Sequence, residues 1–352
     1  MSNEKATRYV IFGAGAIGIP VGGLLHQAGA RVVCVARPAY AAALKRGVTI
    51  RQKDGDIIVK LDAVTAAREL NPESGDVLII TAKSQATESA IEELSEVYDR
   101  QTPVVCLQNG VDNEEIAARR FKNVYAGLVF LSATQIEPSV INRTQGDTIA
   151  ISRYPEGIDP LAEQICDDLR RAGFEAIASA HVMAMKWGKF VMNLNNATHA
   201  VTGYYIEQGM ADADMRNLMF EVRIEGLRVL DAAGINVEPP AGTPDPIKVR
   251  KSTEKLKLPP RATDNAVNLP EDQRTYASMW QDLQLGRKTG EADHLNGVIV
   301  ELGRKLAVPT PYNSTLLEIV NRMFDEGLKP GIYAPAELRA LIDSRKAIDS
   351  QY

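Results

Sequence analysis

The stretch Lys189-Phe-Val-Met-Asn193-Leu-Asn195-Asn196-Ala197 sets a lysine and asparagines at helical spacing among apolar residues. With 3.6 residues per turn, Lys189, Asn193 and Asn196 share one face of a helix. Phe190, Val191, Met192, Leu194 and Ala197 place most of that helix inside the protein. An ammonium and two carboxamides in such surroundings need polar company. A small anionic molecule would supply it, and a lysine aimed at a carbonyl oxygen is a proton donor. A structural network supplies it too, with Lys189 on a carboxylate and the asparagines on nearby backbone.

A second chemical feature lies at the start of the chain. Arg8-Tyr-Val-Ile-Phe12 reads as a buried strand, followed at once by Gly13-Ala-Gly15-Ala16-Ile17-Gly18 and a helix running to about Gly29. Arg31-Val-Val-Cys-Val-Ala36 is the next strand. In this strand–turn–helix setting Gly13 permits the tight turn, Gly15 lets a pyrophosphate approach backbone N–H groups, and Gly18 lets helix pack on strand. The phosphate then meets a helix N-terminus, whose dipole favours an anion. NAD-specific versions carry an acidic residue about 20 positions on. None occurs between Lys5 and Lys53, and the second strand runs into Arg37. A guanidinium fork suits a 2′-phosphate, so the expected cofactor is NADP(H); the alternative for Arg37 is a solvated charge at a strand end.

Two more strands deliver polar residues at their carboxyl ends. Asp76-Val-Leu-Ile-Ile-Thr-Ala82 leads into Lys83-Ser84-Gln85, and Pro103-Val-Val-Cys-Leu107 into Gln108-Asn109-Gly110, with helices from Thr87 and Asn113. Ligands of parallel sheets bind at that end, so Lys83 and Asn109 are candidates to face cofactor or substrate. A loop lysine and a plain Asn-Gly turn are the simpler readings. Residues 125–131 and 148–152 read as strands that complete the sheet.

Beyond about Ala180 the pattern becomes helical, with helices expected at 182–202, 211–233, 275–286, 291–306 and 313–325. Between them, 238–275 is rich in proline and carries Lys248, Arg250, Lys251, Lys255 and Lys257. A connection this long is either functional or mobile. The helix from Glu291 is expected to carry an apolar stripe of Leu295, Val298 and Leu302, with Glu291 and His294 beside it. Glu291 is either a first-turn acid favoured by the helix dipole or a wall of a pocket opposite Lys189. His294 reads as packed or capping. No spacing of His, Cys, Asp and Glu suggests a metal, and no serine or cysteine has a nucleophile's context.

The whole chain is consistent with this picture. Its 352 residues suffice for two domains, here placed at 1–180 (dinucleotide-binding) and 181–352 (helical, for substrate and dimerisation). A net charge of −5 gives no general attraction to nucleic acid or acidic membrane. No apolar run is long enough to span a bilayer. Three scattered cysteines and the absence of a signal core point to a reducing, cytoplasmic setting.

Taken together, the motifs resemble those of the ketopantoate reductase (2-dehydropantoate 2-reductase) family over most of residues 8–325. They are Gly13-Ala-Gly-Ala-Ile-Gly18, Ala82-Lys83, Asn109-Gly110, Lys186-Trp-Gly-Lys189-Phe-Val-Met-Asn193, Ser278-Met-Trp-Gln-Asp282, Glu291-Ala-Asp-His-Leu-Asn296-Gly297 and Val308-Pro-Thr-Pro-Tyr-Asn313. The resemblance implies an α/β fold, a Rossmann-type parallel-sheet domain followed by an all-α domain like the C-terminal domain of 6-phosphogluconate dehydrogenase. It implies an NADP-dependent oxidoreductase acting on CH–OH, reducing ketopantoate to pantoate in pantothenate biosynthesis. Lys189 would be the general acid and Glu291 its catalytic partner. Asn193, Asn196, Ser278 and Asn109 would bind substrate; Gly13, Gly15, Ala16, Ile17, Gly18, Arg37, Lys83 and Asn109 would bind the cofactor. A homodimer is compatible, with the tail after Pro330 as a contact. Three departures concern the substrate region. Ala197 stands where the family has a second asparagine, the spacing from Ser278 to Glu291 is one residue longer, and 238–275 is longer. A different 2-oxo acid or carbonyl substrate, or a non-catalytic NADP-binding sensor, are therefore the alternatives.

Overall fold

Apolar strands alternating with helices build a mixed sheet in the first half of the chain. The structure is a computed structural model that describes residues 7–240 and 269–349. It divides into two compact units, one ending at Lys186 and the other beginning at Trp187.

In the first unit the elements run β1 (Arg8–Phe12), α1 (Gly18–Gln27), β2 (Arg31–Val35), α2 (Pro38–Arg46), β3 (Val48–Arg51), β4 (Ile57–Val59), β5 (Asp62–Val64) and β6 (Asp76–Ile80). Then follow α3 (Thr87–Ser95), β7 (Val104–Cys106), α4 (Asn113–Ala118), β8 (Val124–Glu137), β9 (Val140–Arg153), α5 (Pro160–Arg171) and β10 (Glu175–Ala178). The strand order is β4-β3-β9-β8-β7-β6-β1-β2-β5, with β10 added to β9. Pairing is parallel except for β3 with β4 and β8 with β9. The central strands are buried on both faces, as their unbroken apolar runs require. Tyr9, Ile11 and Ile79 enter one layer, and Val10, Leu78 and Ile80 the other. Since β1 lies between β2 and β6, the order of winding reverses at β1. The carboxyl ends of β1, β6 and β7 form the ligand end expected of such a sheet.

The hairpin β8–β9 is much longer than the segments 125–131 and 148–152 expected from sequence. Its outer halves carry polar residues such as Thr134, Gln135, Asn142 and Arg143, which hid the strand pattern. The short strands β3, β4, β5 and β10 also went unread.

All three cysteines are buried and free. Burial pushes the Cys34 thiol up to about 12 and Cys166 to about 11, and raises Cys106 well above its ordinary value. At the end of this unit Lys186, 3% exposed, pairs with the carboxylate of Glu114, which is fully buried. Lys186 Nζ also lies 3.5 Å from the carbonyl oxygen of Cys106.

The second unit is helical in its described residues. After α6 (Val182–Asn193) come α7 (Asn195–Thr202), α8 (Ile206–Ala211), α9 (Ala213–Ala232), α10 (Ser278–Gln284), α11 (Asn296–Leu306), α12 (Pro311–Glu326) and α13 (Pro335–Asp349). Three expectations need correction. The helix read at 182–202 is two helices broken at Leu194. The helix read at 275–286 is confined to Ser278–Gln284. The helix read from Glu291 starts five residues later, at Asn296; Leu295 just ahead of it is buried as expected, but Val298 and Leu302 are only half-buried, and the buried residues of the helix are Asn296, Ile299 and Gly303. Glu291 and His294 therefore sit in the turn ahead of it. The tail proposed as a dimer contact folds back as α13, where Arg345 pairs with Glu318 at 2.6 Å and Lys346 lies 3.7 Å from the Tyr312 ring centre. The basic cluster Lys248–Lys257 and most of 238–275 lie outside the described residues.

Candidate functional site

The three glycines of the turn differ in what surrounds them. Gly13 has φ +100°, which a side chain disfavours, and a Cβ there would stand 2.5 Å from Ala82 N. At Gly18 a Cβ would stand 2.5 Å from Thr81 Oγ1 and 3.0 Å from Ile11, so helix and strand touch only because it is glycine. Gly15 differs. The nearest protein atom to a Cβ there is 3.7 Å away, so packing does not explain this glycine. Ala16 and Ile17 complete the turn, and Ile19 N makes the first helical bond to Gly15 O at 3.0 Å.

Arg37 stands at the mouth of α2, exposed, with its guanidinium 4.6 Å from the centre of the Tyr40 ring. The ring steadies a planar cation while leaving its edge free for an anion. Tyr40 was missed in the sequence. Its signal was available, since it lies three residues after Arg37 on a helix.

Lys83 and Asn109 end up on two loops tied together by buried polar groups. Gln108 Nε2 donates to Ala82 O and Thr87 Oγ1, both at 2.8 Å. Thr87 Oγ1 donates to Asn113 Oδ1 at 2.6 Å. Asn109 O accepts from Ser84 Oγ at 2.7 Å and Asn113 Nδ2 at 2.8 Å. Gly110, with φ +85°, turns the chain beneath. These bonds lock the loops after β6 and β7 into one rigid platform, with Lys83 and Asn109 left partly exposed on it.

In the helical unit Asn196 Nδ2 donates to Ser278 Oγ at 3.1 Å, so two expected substrate residues do meet. Tyr276 and Trp280 flank Ser278 in sequence and stack on each other, 3.7 Å between ring centres. Trp280 Nε1 donates to Gly203 O at 3.2 Å and ties α10 to the end of α7. Lys189, Asn193 and Asn196 are all partly exposed, while Phe190, Val191, Leu194 and Ala197 are buried. The amphipathic reading of this stretch therefore stands, although the helix breaks within it. Gly188, beside the lysine, has its own reason: a Cβ there would overlap the carbonyl oxygen of Glu238 and lie 3.0 Å from Pro240.

The break at Leu194 is fastened by residues of two other motifs. Asn296 Nδ2 donates to Leu194 O at 3.1 Å and to Asn313 Oδ1 at 2.9 Å. Asn313 Nδ2 donates to Glu225 Oε1 at 2.8 Å, and the Glu225 carboxylate also accepts from Tyr312 N and Asn313 N. Burial raises the Glu225 pKa, and the N–H donors at the start of α12 oppose that rise. The chain thus holds Asn193 and Asn196, on either side of the break, from behind. Glu291 is 8% exposed, in the turn leading to Asn296. Among the described residues no cluster of His, Cys, Asp and Glu could hold a metal ion, and no helix is long and apolar enough to cross a membrane.

The ketopantoate reductase PanE/ApbA model matches residues 9–156, and the model of its C-terminal domain matches residues 181–324. The chain belongs to the ketopantoate reductase family. Among its relatives, 2-dehydropantoate 2-reductase of Pyrococcus horikoshii is 29% identical over 315 residues, covering 88% of this chain and 95% of its own. The PanE/ApbA family ketopantoate reductase of Ralstonia eutropha JMP134 superposes with a TM-score of 0.75 at 25% identity, covering 91% of this chain and 99% of its own. D-mandelate dehydrogenase, solved with NADH and anilino(oxo)acetate, has a TM-score of 0.76 at 22% identity, covering 91% of this chain and 99% of its own, a likeness of fold. Membership makes the chain a pyridine-nucleotide-dependent oxidoreductase acting on CH–OH, with a parallel-dominated sheet domain and a helical C-terminal domain.

Proposed function

We propose that this ketopantoate reductase family member reduces 2-dehydropantoate to pantoate, using NADPH and Lys189 as the proton donor. NADPH, when bound, supplies the hydride. The open face at Gly15 and the exposed Arg37, with no acid on the strand before it, are the groups that would hold its pyrophosphate and 2′-phosphate. Lys189 holds a proton for the carbonyl oxygen, and its charge stabilises the alkoxide as it develops. Asn193, Asn196 and Ser278 orient the substrate, and Glu291 sets the state of Lys189 or takes a substrate hydroxyl. Lys83 and Asn109, on their braced platform, line the nicotinamide end. The supporting observation is the Asn196–Ser278 hydrogen bond, which joins two distant motifs in the unit that carries Lys189.

The test is NADPH oxidation with ketopantoate by the wild type and by Lys189→Ala. The substitution should lower kcat by at least about 10²-fold, the scale of a lost general acid, with NADPH affinity unchanged. Equal loss of NADPH binding would make the lysine structural. Ala197 and the Tyr276–Trp280 stack favour a second reading, a 2-oxo acid with a bulkier substituent. Turnover of an aryl-substituted 2-oxo acid in preference to ketopantoate would select it.

A further inference from the structure

Arg223, on α9, is a guanidinium without a counter-charge among the described residues. No described acid pairs with it, and none of its nitrogens has a hydrogen-bond partner among the described residues. Its Nε is shut off from solvent, while the residue as a whole keeps partial exposure. The part of the head that solvent reaches is therefore its two terminal amino groups. Burial lowers its pKa, and no neighbouring acid opposes that effect. An arginine stays protonated regardless, so the cation is left uncompensated.

The neighbourhood is polar and equally unsatisfied. Helices α7 and α9 run antiparallel. At one end Gly226 packs on Leu194, where a Cβ would come within 2.5 Å of Leu194 Cδ1. At the other end Thr202 Oγ1 lies 3.6 Å from Met215 Sδ. Thr198 is midway along α7 and so faces the stretch of α9 holding Met219 and Arg223, two turns and one turn before Gly226. Thr198 is fully buried, and its hydroxyl has no partner. Asn195, one turn earlier on α7, is 2% exposed, and both polar atoms of its amide lack partners. The charge of Arg223 also acts on buried His199, the next residue of α7. Buried polar atoms are rarely left unpaired, and here several lie on the part of α7 that faces one unpaired cation.

We propose that Arg223, with the polar side chains of α7 that face its stretch of α9, forms a carboxylate-binding site. The terminal amino groups of Arg223 would take the two oxygens in a fork, with Thr198 Oγ1 and Asn195 Nδ2 as neutral donors behind. The carboxylate has two sources, the oxo-acid substrate itself or a second small acid. The first of these rests on the reductase reading above.

The experiment uses the full chain with ¹⁵N-labelled arginine, following the Arg223 Nε–Hε resonance, assigned by its loss in R223K. Oxamate and ketopantoate are titrated in separately, with acetamide as the uncharged control. A saturable shift with a carboxylate and none with acetamide is expected. In R223M, whose thermal unfolding is checked alongside, carboxylate affinity should fall about 10- to 100-fold, as for a lost charge-assisted hydrogen bond. If the substrate is the source, R223M raises the KM for ketopantoate by that factor and leaves the KM for NADPH alone. If a second acid is the source, the KM for ketopantoate stays put, and R223M loses an oxamate binding that does not compete with ketopantoate. Absence of a saturable shift with either acid, or equal oxamate affinity in R223M and wild type, overturns the site. A shift with oxamate in a protein that turns over no oxo acid would retain the site and reject the reductase reading.

Discussion

Replacing Lys186 with methionine should damage the first unit far more than its single ion pair suggests. Lys186 is 3% and Glu114 0% exposed, and one oxygen of Glu114 has no partner at all. Burial raises the Glu114 pKa, and Lys186 is the chief influence pulling it back down. Methionine fills the space of the lysine stem but leaves a buried carboxylate without its cation. The loss expected for breaking a buried pair from one side is about 3–5 kcal/mol. For a unit of this size that lowers the melting temperature by roughly 6–20 °C. The sign of the pH dependence follows from the raised pKa. In Lys186→Met the carboxyl of Glu114 folds readily only when protonated, so the penalty is smallest at acid pH. It grows as pH rises from the unfolded value toward the folded one. The double variant Lys186→Met, Glu114→Leu removes both charges and should return to within about 1–2 kcal/mol of wild type. Urea unfolding of the four proteins at pH 5 and pH 8 measures the coupling. A single-variant loss below about 1 kcal/mol, or a double variant no better than the single, would refute the argument.

Other substitutions test other parts of the structure. Arg37→Ser should raise the KM for NADPH by about 10- to 100-fold, the loss of one charge-assisted contact, and leave the KM for NADH nearly unchanged; an equal effect on both cofactors would remove Arg37 from the 2′-phosphate. Gly188→Ala forces the chain at Glu238 away from α6 and should cost about 1–3 kcal/mol as overpacking, with activity falling because Lys189 is the next residue; full stability with full activity would contradict the packing described. His199 is buried, and burial lowers its pKa. Its contribution is therefore complete above the unfolded value near 6.5 and is lost as pH falls toward the folded value. Denaturant titrations between pH 5 and 7.5 should show this loss in wild type and a weaker one in His199→Gln.

The legible parts were those in which one local pattern answers to one physical demand. The glycine turn is such a case, because backbone approach and helix–strand contact each admit a single residue type at a set spacing. The pairing of Asn196 with Ser278 was legible only through a shared family of motifs, since 82 positions separate them. The start of α11 was misread because Glu291, Leu295 and Val298 keep helical spacing through a turn. Leu295 has φ −121° and ψ −96°, which ends that register and begins a new one at Asn296. The break at Leu194 had no local signal either. It is held by Asn296 and Asn313, over a hundred residues downstream, and a window along the chain does not contain them. The polar platform of Gln108, Thr87 and Asn113 was invisible for the same reason.

The three thiols lend this enzyme a use of a different kind. All of them lie before residue 167, two in one layer of the sheet domain and one in the other, and the helical half has none. Each stays protonated and enclosed while the sheet is intact, so a thiol-reactive dye finds nothing to label in the native molecule. The rate of labelling therefore reports how often the nucleotide-binding half opens, and is blind to motion in the other half. The chain carries its own clock for one of its two parts, and a nucleotide that binds only the closed sheet should slow that clock by a factor of one plus the ratio of free nucleotide concentration to Kd.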